Sequence, residues 1–360
     1  LMLSPEAVAA HKDIKIVYTP IHGSGVEIVP EFLAKLGFEN IYHVPEQDVV
    51  DGNFPTVMSP NPEEPSALAM AVAVADKEGA DLVMATDPDA DRIGIAVRDN
   101  EGKMVLLNGN QTASILTYYI LRRWSELGKL DGNQYIVKTI VTSELLRAIA
   151  EKYGVKVYNV LTGFKWIADV VKKNEGTTTF VCGGEESYGF NVGEFVRDKD
   201  APASICLICE IAAWAKDQGK TLYDLLMQIY QEYGFSKEFT INVTKPGKSG
   251  ADEIKAMMEG FRANPPKDLG GSKVSVVKDF KTLEMTTAAG KQKLDMPETS
   301  NVLQWFCEDG TKVSVRPSGT EPKIKFYFGV KATLPSVDKF DEVQVALDEK
   351  MEAIKAELNL

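Results

Sequence analysis

The sequence predicts an α/β protein: two serial α/β domains with mixed, mainly parallel sheets, followed by a C-terminal α+β domain. From residue 14 onward, short Val/Ile-rich runs alternate with segments of helical period, as in βαβ units. The alternation starts again after a linker at residues 128–133, and antiparallel-strand signals replace it beyond a Lys-Pro-Gly-Lys-Ser-Gly stretch at residues 245–250. We therefore expect domains at residues 1–128, 129–245 and 246–360.

In the first domain each predicted element follows from a local signal. An apolar run at residues 14–18 predicts a strand, and the turn Thr-Pro-Ile-His-Gly-Ser-Gly at residues 19–25 leads into an amphipathic helix through residue 36. A Pro-rich loop at residues 55–65 precedes an Ala-rich helix that ends at Gly79. The other predicted elements are strands at 41–44, 81–86 and 93–98 and a helix at 111–127.

The two later domains differ in the order of their elements. In the second, strands at 135–138, 155–160 and 178–182 alternate with helices at 143–153 and 164–173; helices at 203–216 and 221–233 and a strand at 238–243 follow. In the third, a helix to about residue 262 precedes strands at 274–277, 302–307, 311–315 and 324–330 and a helix from residue 336. A Glu-Asp-Gly turn at 308–310 predicts an antiparallel pair.

Composition excludes several classes of protein. The 360 residues are 44% apolar and 26% charged, which is typical of a soluble globular chain, and the net charge of −12 argues against a nucleic-acid partner. No apolar run is long enough to span a membrane and no secretion signal is present, so we expect a cytoplasmic protein without a membrane partner. Four scattered cysteines and three histidines without ligand spacing predict neither disulfides nor a zinc site. The sequence does not predict the oligomeric state.

An acidic hexapeptide directly after a buried strand is the most informative motif. Asp-Pro-Asp-Ala-Asp-Arg at residues 87–92 places three carboxylates, Asp87, Asp89 and Asp91, at alternate positions. Such acids repel one another unless a cation neutralises them, and oxygen ligands suit a hard ion such as Mg²⁺. The guanidinium of Arg92 adds donors that suit phosphate oxygens. On this hexapeptide alone, a solvated acidic turn or a calcium loop remains possible.

Polar residues also follow other predicted strands, at the sheet edge where α/β proteins bind ligands. Lys138 could meet a phosphoryl group or carry a proton. The loop Gly-Gly-Glu-Glu-Ser-Tyr-Gly at residues 183–189 offers carboxylates and a hydroxyl, which can hold a polyol, although a capped turn is the alternative. Thr162 and Gly163 follow a third strand, and the charged turn at residues 197–200 supplies cations nearby.

A fourth element, Arg-Pro-Ser-Gly-Thr-Glu-Pro at residues 316–322, lies between two predicted strands. An arginine fork, two hydroxyls and a glycine that leaves backbone amides bare can form a nest for a phosphate dianion, unless the segment is a simple turn. In such a nest Glu321 must point away from the anion. A metal loop, a polyol loop and a phosphate nest together predict that the ligand is a phosphorylated sugar.

The order of these motifs resembles the α-D-phosphohexomutase family, the phosphoglucomutases and phosphomannomutases, over nearly the whole chain. The matching segments are Tyr-Thr-Pro-Ile-His-Gly at 18–23, Asp-Pro-Asp-Ala-Asp-Arg at 87–92, Thr-Gly-Phe-Lys-Trp-Ile at 162–167, Gly-Glu-Glu-Ser-Tyr-Gly at 184–189 and Arg-Pro-Ser-Gly-Thr-Glu-Pro at 316–322.

This resemblance implies an intramolecular phosphoryl transfer between C1 and C6 of a hexose phosphate, with Mg²⁺ as cofactor and a hexose 1,6-bisphosphate as intermediate. It implies specific roles for residues of four kinds. These are the Mg²⁺ ligands Asp87, Asp89 and Asp91; Arg92 and Lys138 at the transferring phosphoryl group; Thr162, Gly163, Glu185, Ser187 and Lys199 at the sugar; and Arg316, Ser318, Gly319 and Thr320 at the phosphate that does not react.

Family members have four domains, and the first carries a phosphorylated serine in a Thr-Ala-Ser-His-Asn-Pro motif that does not occur in this sequence. We therefore expect the chain to correspond to domains two to four and to be unable to catalyse turnover of the sugar phosphate without the first domain. The Glu-Glu-Ser-Tyr form of the sugar loop resembles that of phosphoglucomutases, which favours glucose phosphates. A phosphopentose or mannose phosphate substrate, a phosphatase with an aspartate nucleophile and a non-catalytic sugar-phosphate binding protein are the alternatives.

Overall fold

The computed structural model describes residues 2–245, 247–319 and 321–360, without the side chain of residue 248. The chain divides between Ile229 and Tyr230 into two compact units. The first unit contains a five-stranded and a four-stranded sheet, and the second contains an eight-stranded sheet. The predicted fold class is confirmed, since two mainly parallel sheets with helices precede a sheet-rich C-terminal region. Within the described ranges, no helix combines the length and the apolar character that a membrane span needs.

The five-stranded sheet has the strand order β2-β1-β3-β4-β5. Strand β1 pairs in parallel with β2 and with β3. Strand β4 pairs antiparallel with β3, and β5 pairs antiparallel with β4. The elements of this part are α1 (Pro5–Ala10), β1 (Lys15–Thr19), α2 (Gly25–Leu36), β2 (Asn40–His43), α3 (Pro65–Glu78), β3 (Leu82–Thr86), β4 (Ile93–Arg98), β5 (Met104–Leu107) and α4 (Gly109–Glu126).

Local sequence sets the ends of these helices. Gly79 ends α3 as predicted, and its φ of 63° is a left-handed conformation that glycine adopts without strain. Asn108 and Gln111 form a capping box that begins α4. Every residue of β3 is buried, which explains its uninterrupted apolar sequence and fixes the point at which the acidic loop leaves the sheet.

The four-stranded sheet has the order β7-β6-β8-β9, with β9 antiparallel to β8 and the other pairs parallel. Helix α7 begins where the Asp200 side chain accepts a hydrogen bond from the backbone N–H of Ala203. The elements are β6 (Gln134–Thr139), α5 (Leu145–Lys152), β7 (Lys156–Val160), α6 (Phe164–Asn174), β8 (Thr179–Gly184), β9 (Phe190–Val192), α7 (Ala201–Asp217) and α8 (Leu222–Tyr233).

The sheet of the second unit has the order β10-β17-β16-β15-β12-β13-β14, and β11 pairs with β12. Its strand pairs are antiparallel, as the sequence predicts for the C-terminal region. The elements are β10 (Phe235–Thr244), α9 (Gly247–Ala263), β11 (Asp268–Leu269), β12 (Ser272–Asp279), β13 (Glu284–Thr287), β14 (Gly290–Lys293), β15 (Leu303–Cys307), β16 (Lys312–Pro317), β17 (Lys323–Ala332) and α10 (Phe340–Glu357).

Strand β10 lies in a different part of the molecule from the one we expected. Its sequence falls inside the predicted second domain, 129–245, yet it pairs with β17 from Phe235↔Ala332 to Thr244↔Lys323 in the second unit. Pairing over such a sequence distance leaves no local signal, whereas the Lys-Pro-Gly stretch that we used as a boundary marks only the end of the strand. The expected division at residue 128, inside the first unit, stays a prediction.

Candidate functional site

The acidic loop connects two antiparallel neighbours, β3 and β4, which pair from Leu82↔Val97 to Thr86↔Ile93. Asp87 is 7% exposed, and its Oδ1 accepts hydrogen bonds of 3.0 Å from the backbone N–H groups of Asp91 and Arg92. Ala90 has a left-handed φ of 58° within the same turn. The loop is therefore folded back on its own first carboxylate, which fixes the positions of the residues that follow it.

This fold brings the three predicted metal ligands together. Asp87, Asp89 and Asp91 can each offer one carboxylate oxygen, and these oxygens lie within 4.8 Å of one another. Burial and the charges of Asp91 and Asp89 raise the pKa of Asp87 to about 6, although the two backbone hydrogen bonds oppose the shift. A divalent cation would relieve this repulsion, and an oxygen-only donor set fits Mg²⁺.

Two cationic side chains border the aspartates. Arg92 Nε lies 3.8 Å from Asp87 Oδ2 and 3.9 Å from Asp91 Oδ1, and it is buried without a hydrogen-bond partner. Lys199 Nζ lies 2.7 Å from Asp91 Oδ2. Burial lowers the pKa of Lys199, but the contact with Asp91 outweighs this effect and the pKa is raised. The loop thus presents a partly exposed guanidinium beside the aspartates, and its planar donors suit phosphate oxygens.

The predicted sugar loop, residues 185–189 between β8 and β9, lies directly against the acidic loop. Arg92 and Gly189 form an antiparallel bridge, and the backbone N–H of Ile93 donates to the carbonyl of Tyr188 at 3.1 Å. A Cβ on Gly189 would lie only 2.4 Å from Lys199 Cδ, so this position has no space for a side chain. Segments about a hundred residues apart in sequence therefore form one continuous surface in the first unit.

A third loop joins this surface through Glu185. Glu185 Oε1 accepts a hydrogen bond of 2.9 Å from the backbone N–H of Gly163, in the loop after β7. Gly163 has a φ of 113°, which favours glycine there. Burial and the neighbouring charge of Glu186 raise the pKa of Glu185. Thr162, which precedes Gly163, and Ser187, two residues after Glu185, are partly exposed.

The structure does not bring Lys138 to this surface, in contrast to the prediction. Its side chain has no exposed area, and its Nζ donates to Glu144 Oε1 at 2.9 Å and to the carbonyl of Thr142 at 3.0 Å. Every residue of β6 is buried, and β7 and β8 pair with its two edges. Lys138 therefore stabilises the β6–α5 connection, and it has no free surface for a phosphoryl group.

Sequence reasoning noted both carboxylates of the sugar loop but gave no role to Glu186 and missed its threonine partners. Glu186 Oε2 accepts hydrogen bonds of 3.3 Å from Thr139 Oγ1 and from Thr142 Oγ1. Thr139 is the last residue of β6. We selected Lys138 because ligands bind at the carboxyl ends of strands in α/β proteins; with the strand one residue longer, the same reasoning selects Thr139. These contacts hold the backbone of the sugar loop against the end of the four-stranded sheet.

The predicted phosphate nest lies in the second unit, between β16 and β17. A depression there is lined by the side chains of Arg316, Ser318, Glu321, Lys323 and Lys325. Glu321 borders this depression and is paired with Lys323, which lowers the pKa of Glu321. That its carboxylate points away from a bound anion stays a prediction. Gly319 has no atom within 4 Å of a Cβ position. The predicted contact Thr320 lies outside the described residues.

Comparisons with known proteins identify the family of this chain. Residues 4–102 match the family described as phosphoglucomutase/phosphomannomutase, alpha/beta/alpha domain II, and residues 108–233 match alpha/beta/alpha domain III. A phosphoglucomutase of Staphylococcus aureus strain MRSA252 is 40% identical over 325 residues, which are 89% of this chain and 57% of the relative. The homologue from strain USA300 is 40% identical over 92% of this chain and 58% of the relative. The chain thus spans little more than half the length of these relatives.

Solved structures show the same fold at lower sequence identity. Parafusin, a phosphoglucomutase from Paramecium in its open form, has a TM-score of 0.66 at 17% identity, and the match covers 96% of this chain and 59% of that one. N-acetylphosphoglucosamine mutase of Aspergillus fumigatus, in complex with GlcNAc-6P and magnesium, has a TM-score of 0.54 at 14% identity, over 99% of this chain and 68% of that one.

Proposed function

Because this chain belongs to the α-D-phosphohexomutase family, we propose that it carries the metal-, sugar- and phosphate-binding parts of a hexose phosphate mutase. The observation that supports this most directly is the joining of the acidic loop to the sugar loop through the Arg92–Gly189 bridge and the Lys199–Asp91 ion pair. A phosphatase with an aspartate nucleophile does not need a sugar-binding loop in contact with the metal-binding loop.

In this proposal Asp87, Asp89 and Asp91 hold Mg²⁺, which supplies positive charge against phosphoryl oxygens when it is bound. The oxygen-only donor set and the raised pKa of Asp87 fit such an ion. The guanidinium of Arg92, whose side chain is 38% exposed, donates to an oxygen of the transferring phosphoryl group. Positioning and neutralisation of charge are the main contributions that a protein makes to phosphoryl transfer.

The sugar lies along the loops after β7 and β8. Glu185 accepts hydrogen bonds from sugar hydroxyls, and its link to the backbone N–H of Gly163 fixes the direction of the carboxylate. Ser187 and Thr162 contribute hydroxyls that can donate or accept. Lys199, which is 15% exposed in its side chain, donates to the substrate from the same side as Asp91.

The second unit holds the phosphate that does not react. Arg316 supplies a planar fork of donors, Ser318 and Thr320 supply hydroxyls, and Gly319 leaves its backbone amide accessible. Glu321 lines the same depression, and Lys323 neutralises its charge. The net charge that Arg316, Lys323, Lys325 and Glu321 present to an anion is therefore positive.

The reaction we propose moves a phosphoryl group between C1 and C6 of glucose phosphate through glucose 1,6-bisphosphate, and turnover needs a phosphorylated serine donor. The 360 residues contain no Thr-Ala-Ser-His-Asn-Pro segment, so the chain as given binds the sugar phosphate but does not supply that donor. The curated relatives named above are phosphoglucomutases, which favours glucose over mannose or pentose phosphates.

Calorimetric titration with glucose 1-phosphate in the presence of Mg²⁺ tests this proposal. We expect Glu185→Gln and Arg316→Ala each to weaken binding about tenfold or more, because each removes a charged hydrogen-bonding partner. Arg147→Ala, which removes an arginine engaged with Glu144 and Glu151 on α5, should leave the affinity unchanged. A wild-type chain without affinity for the sugar phosphate contradicts the proposal, and an unchanged Arg316→Ala variant removes the second unit from it.

A further inference from the structure

The turn after β1 has a backbone that ordinary side chains rarely adopt. Ile21 and His22 have φ angles of 48° and 62°, two consecutive left-handed residues without a glycine, and Ile21 is β-branched. Left-handed backbone at such residues persists only where the surroundings hold it in place, and it is enriched at functional sites. The turn belongs to the Tyr-Thr-Pro-Ile-His-Gly segment, to which the proposed function gives no role.

A chain of hydrogen bonds holds the turn from one side. Thr19 Oγ1 accepts from the backbone N–H of Ile21 at 3.1 Å and donates its own hydrogen to Gln47 Oε1 at 2.7 Å. This donation identifies Oε1 as the acceptor of the buried Gln47 amide. Gln47 Nε2 is therefore the donor to Thr56 Oγ1, at 3.2 Å.

The same chain ends on the imidazole of His22. Nδ1 lies 2.8 Å from the carbonyl of Val49, which can only accept, so Nδ1 carries a hydrogen. Nε2 lies 2.8 Å from Thr56 Oγ1, which accepts from Gln47 Nε2. In the neutral ring Nε2 carries no hydrogen, so the Thr56 hydroxyl donates to it. With His22 as the neutral Nδ1–H tautomer, each of these hydrogen bonds has one donor and one acceptor. We call Thr19, Gln47, Thr56 and His22 the His22 clamp.

The far side of the turn contacts the acidic loop. The backbone N–H of Ser24 donates to the carbonyl of Pro88 at 2.9 Å. Gly23 lies so close that a Cβ there would be 2.6 Å from Pro88 Cα and 2.9 Å from the carbonyl oxygen of Asp87. A shift of the turn by less than the diameter of an atom would therefore displace the backbone between the first two aspartates.

We propose that His22 and Thr56 are positioning residues for the cation site: the His22 clamp holds the left-handed turn, and the turn sets the backbone of Asp87 and Pro88. This inference rests on the proposed function, because it assumes that the acidic loop binds Mg²⁺. Neither His22 nor Thr56 contacts the cation. They act through the Gly23–Ser24 backbone, as residues behind metal ligands commonly do.

The test compares Mg²⁺ dissociation constants, measured by calorimetry well below the thermal transition of each variant. Thr56→Val keeps the shape but removes the hydroxyl, and should weaken Mg²⁺ binding about 10- to 100-fold, as expected for loss of an outer-shell partner. Thr56→Ser restores the hydroxyl and should restore the affinity. His11→Ala removes a histidine that pairs only with Asp217 among the described contacts, and should bind Mg²⁺ like the wild type.

Two further readouts separate positioning from general stability. The ¹⁵N shifts of His22 should report the Nδ1–H tautomer in the wild type and in Thr56→Ser, and a change in Thr56→Val. His22→Asn, whose new side chain tolerates left-handed backbone but is too short to contact Thr56, decides the question if Thr56→Val does not fold. A folded Thr56→Val or His22→Asn variant with wild-type Mg²⁺ affinity overturns this inference alone, whereas a wild-type chain that binds no Mg²⁺ overturns the proposed function together with it.

Discussion

Gly109, the first residue of α4, packs against the backbone of the sugar loop more closely than any side chain would permit. A Cβ at this position would lie 2.1 Å from the carbonyl oxygen of Glu186 and 2.7 Å from the backbone nitrogen of Tyr188. Both neighbours are backbone atoms, so no rotation of a side chain can relieve the contact. We therefore predict that Gly109→Ala moves the sugar loop away from the end of α4.

The size of the effect follows from two opposing contributions. Alanine in a helix is more stable than glycine by about 0.5–1 kcal/mol. Inserting a methyl group into a closely packed site costs about 1–3 kcal/mol. The net expectation is a loss of about 0–2.5 kcal/mol in the free energy of unfolding. Binding of glucose 1-phosphate should weaken as well, because Glu185 and Ser187 lie on either side of the displaced Glu186.

The assay combines urea denaturation of the whole chain, in which the unfolding of each unit is followed, with calorimetric titration of glucose 1-phosphate. Gly260→Ala is the matched control, since Gly260 is an exposed residue of α9 and a Cβ there has no atom within 4 Å. That variant should gain up to about 1 kcal/mol from helix propensity and bind the sugar phosphate normally.

One result would refute this reasoning about Gly109. If Gly109→Ala gained stability as the Gly260→Ala control does, and bound glucose 1-phosphate with wild-type affinity, the packing of α4 against Glu186 and Tyr188 would not determine the shape of the sugar loop.

Two further predictions concern Lys138 and Asp87. Lys138→Met should lower the free energy of unfolding by about 1–3 kcal/mol, because Glu144 loses its buried partner, and should leave the affinity for glucose 1-phosphate unchanged. A folded variant with reduced affinity for glucose 1-phosphate, measured by calorimetry, contradicts the assignment of Lys138 to a structural role. Mg²⁺ affinity should rise with pH through about 6, because the cation needs the Asp87 carboxylate and burial raises its pKa. Below that pH affinity should fall about tenfold per unit, and a flat profile would contradict this.

The parts of the fold that local sequence signals determine were predicted well. The alternation of strands and helices, the end of α3 at Gly79 and the position of the acidic loop after a fully buried strand all follow from periodicity and turn residues. Strand β10 was placed in the neighbouring domain because its pairing with β17 depends on residues far away in sequence.

Within the candidate site, the chemical type of each loop was predictable but the contacts of individual side chains were not. The grouping of Asp87, Asp89 and Asp91 follows from their alternate spacing in one turn. The burial of Lys138 does not, because the strand-end rule identifies the edge of a sheet and not the side on which a residue at that edge points. The pairing of Glu321 with Lys323 likewise depends on side-chain directions that a sequence does not show.

The most direct test of the account is a Mn²⁺ titration of the deuterated chain followed by backbone amide NMR. Mn²⁺ substitutes for Mg²⁺ at oxygen ligands, and it broadens the signals of amides close to it. Our account predicts that the amides of Asp91, Arg92 and Gly189 broaden together at the lowest Mn²⁺ concentrations, because one cation site lies where the acidic and sugar loops meet. Early broadening elsewhere in the chain, with Arg92 and Gly189 unaffected, would contradict it.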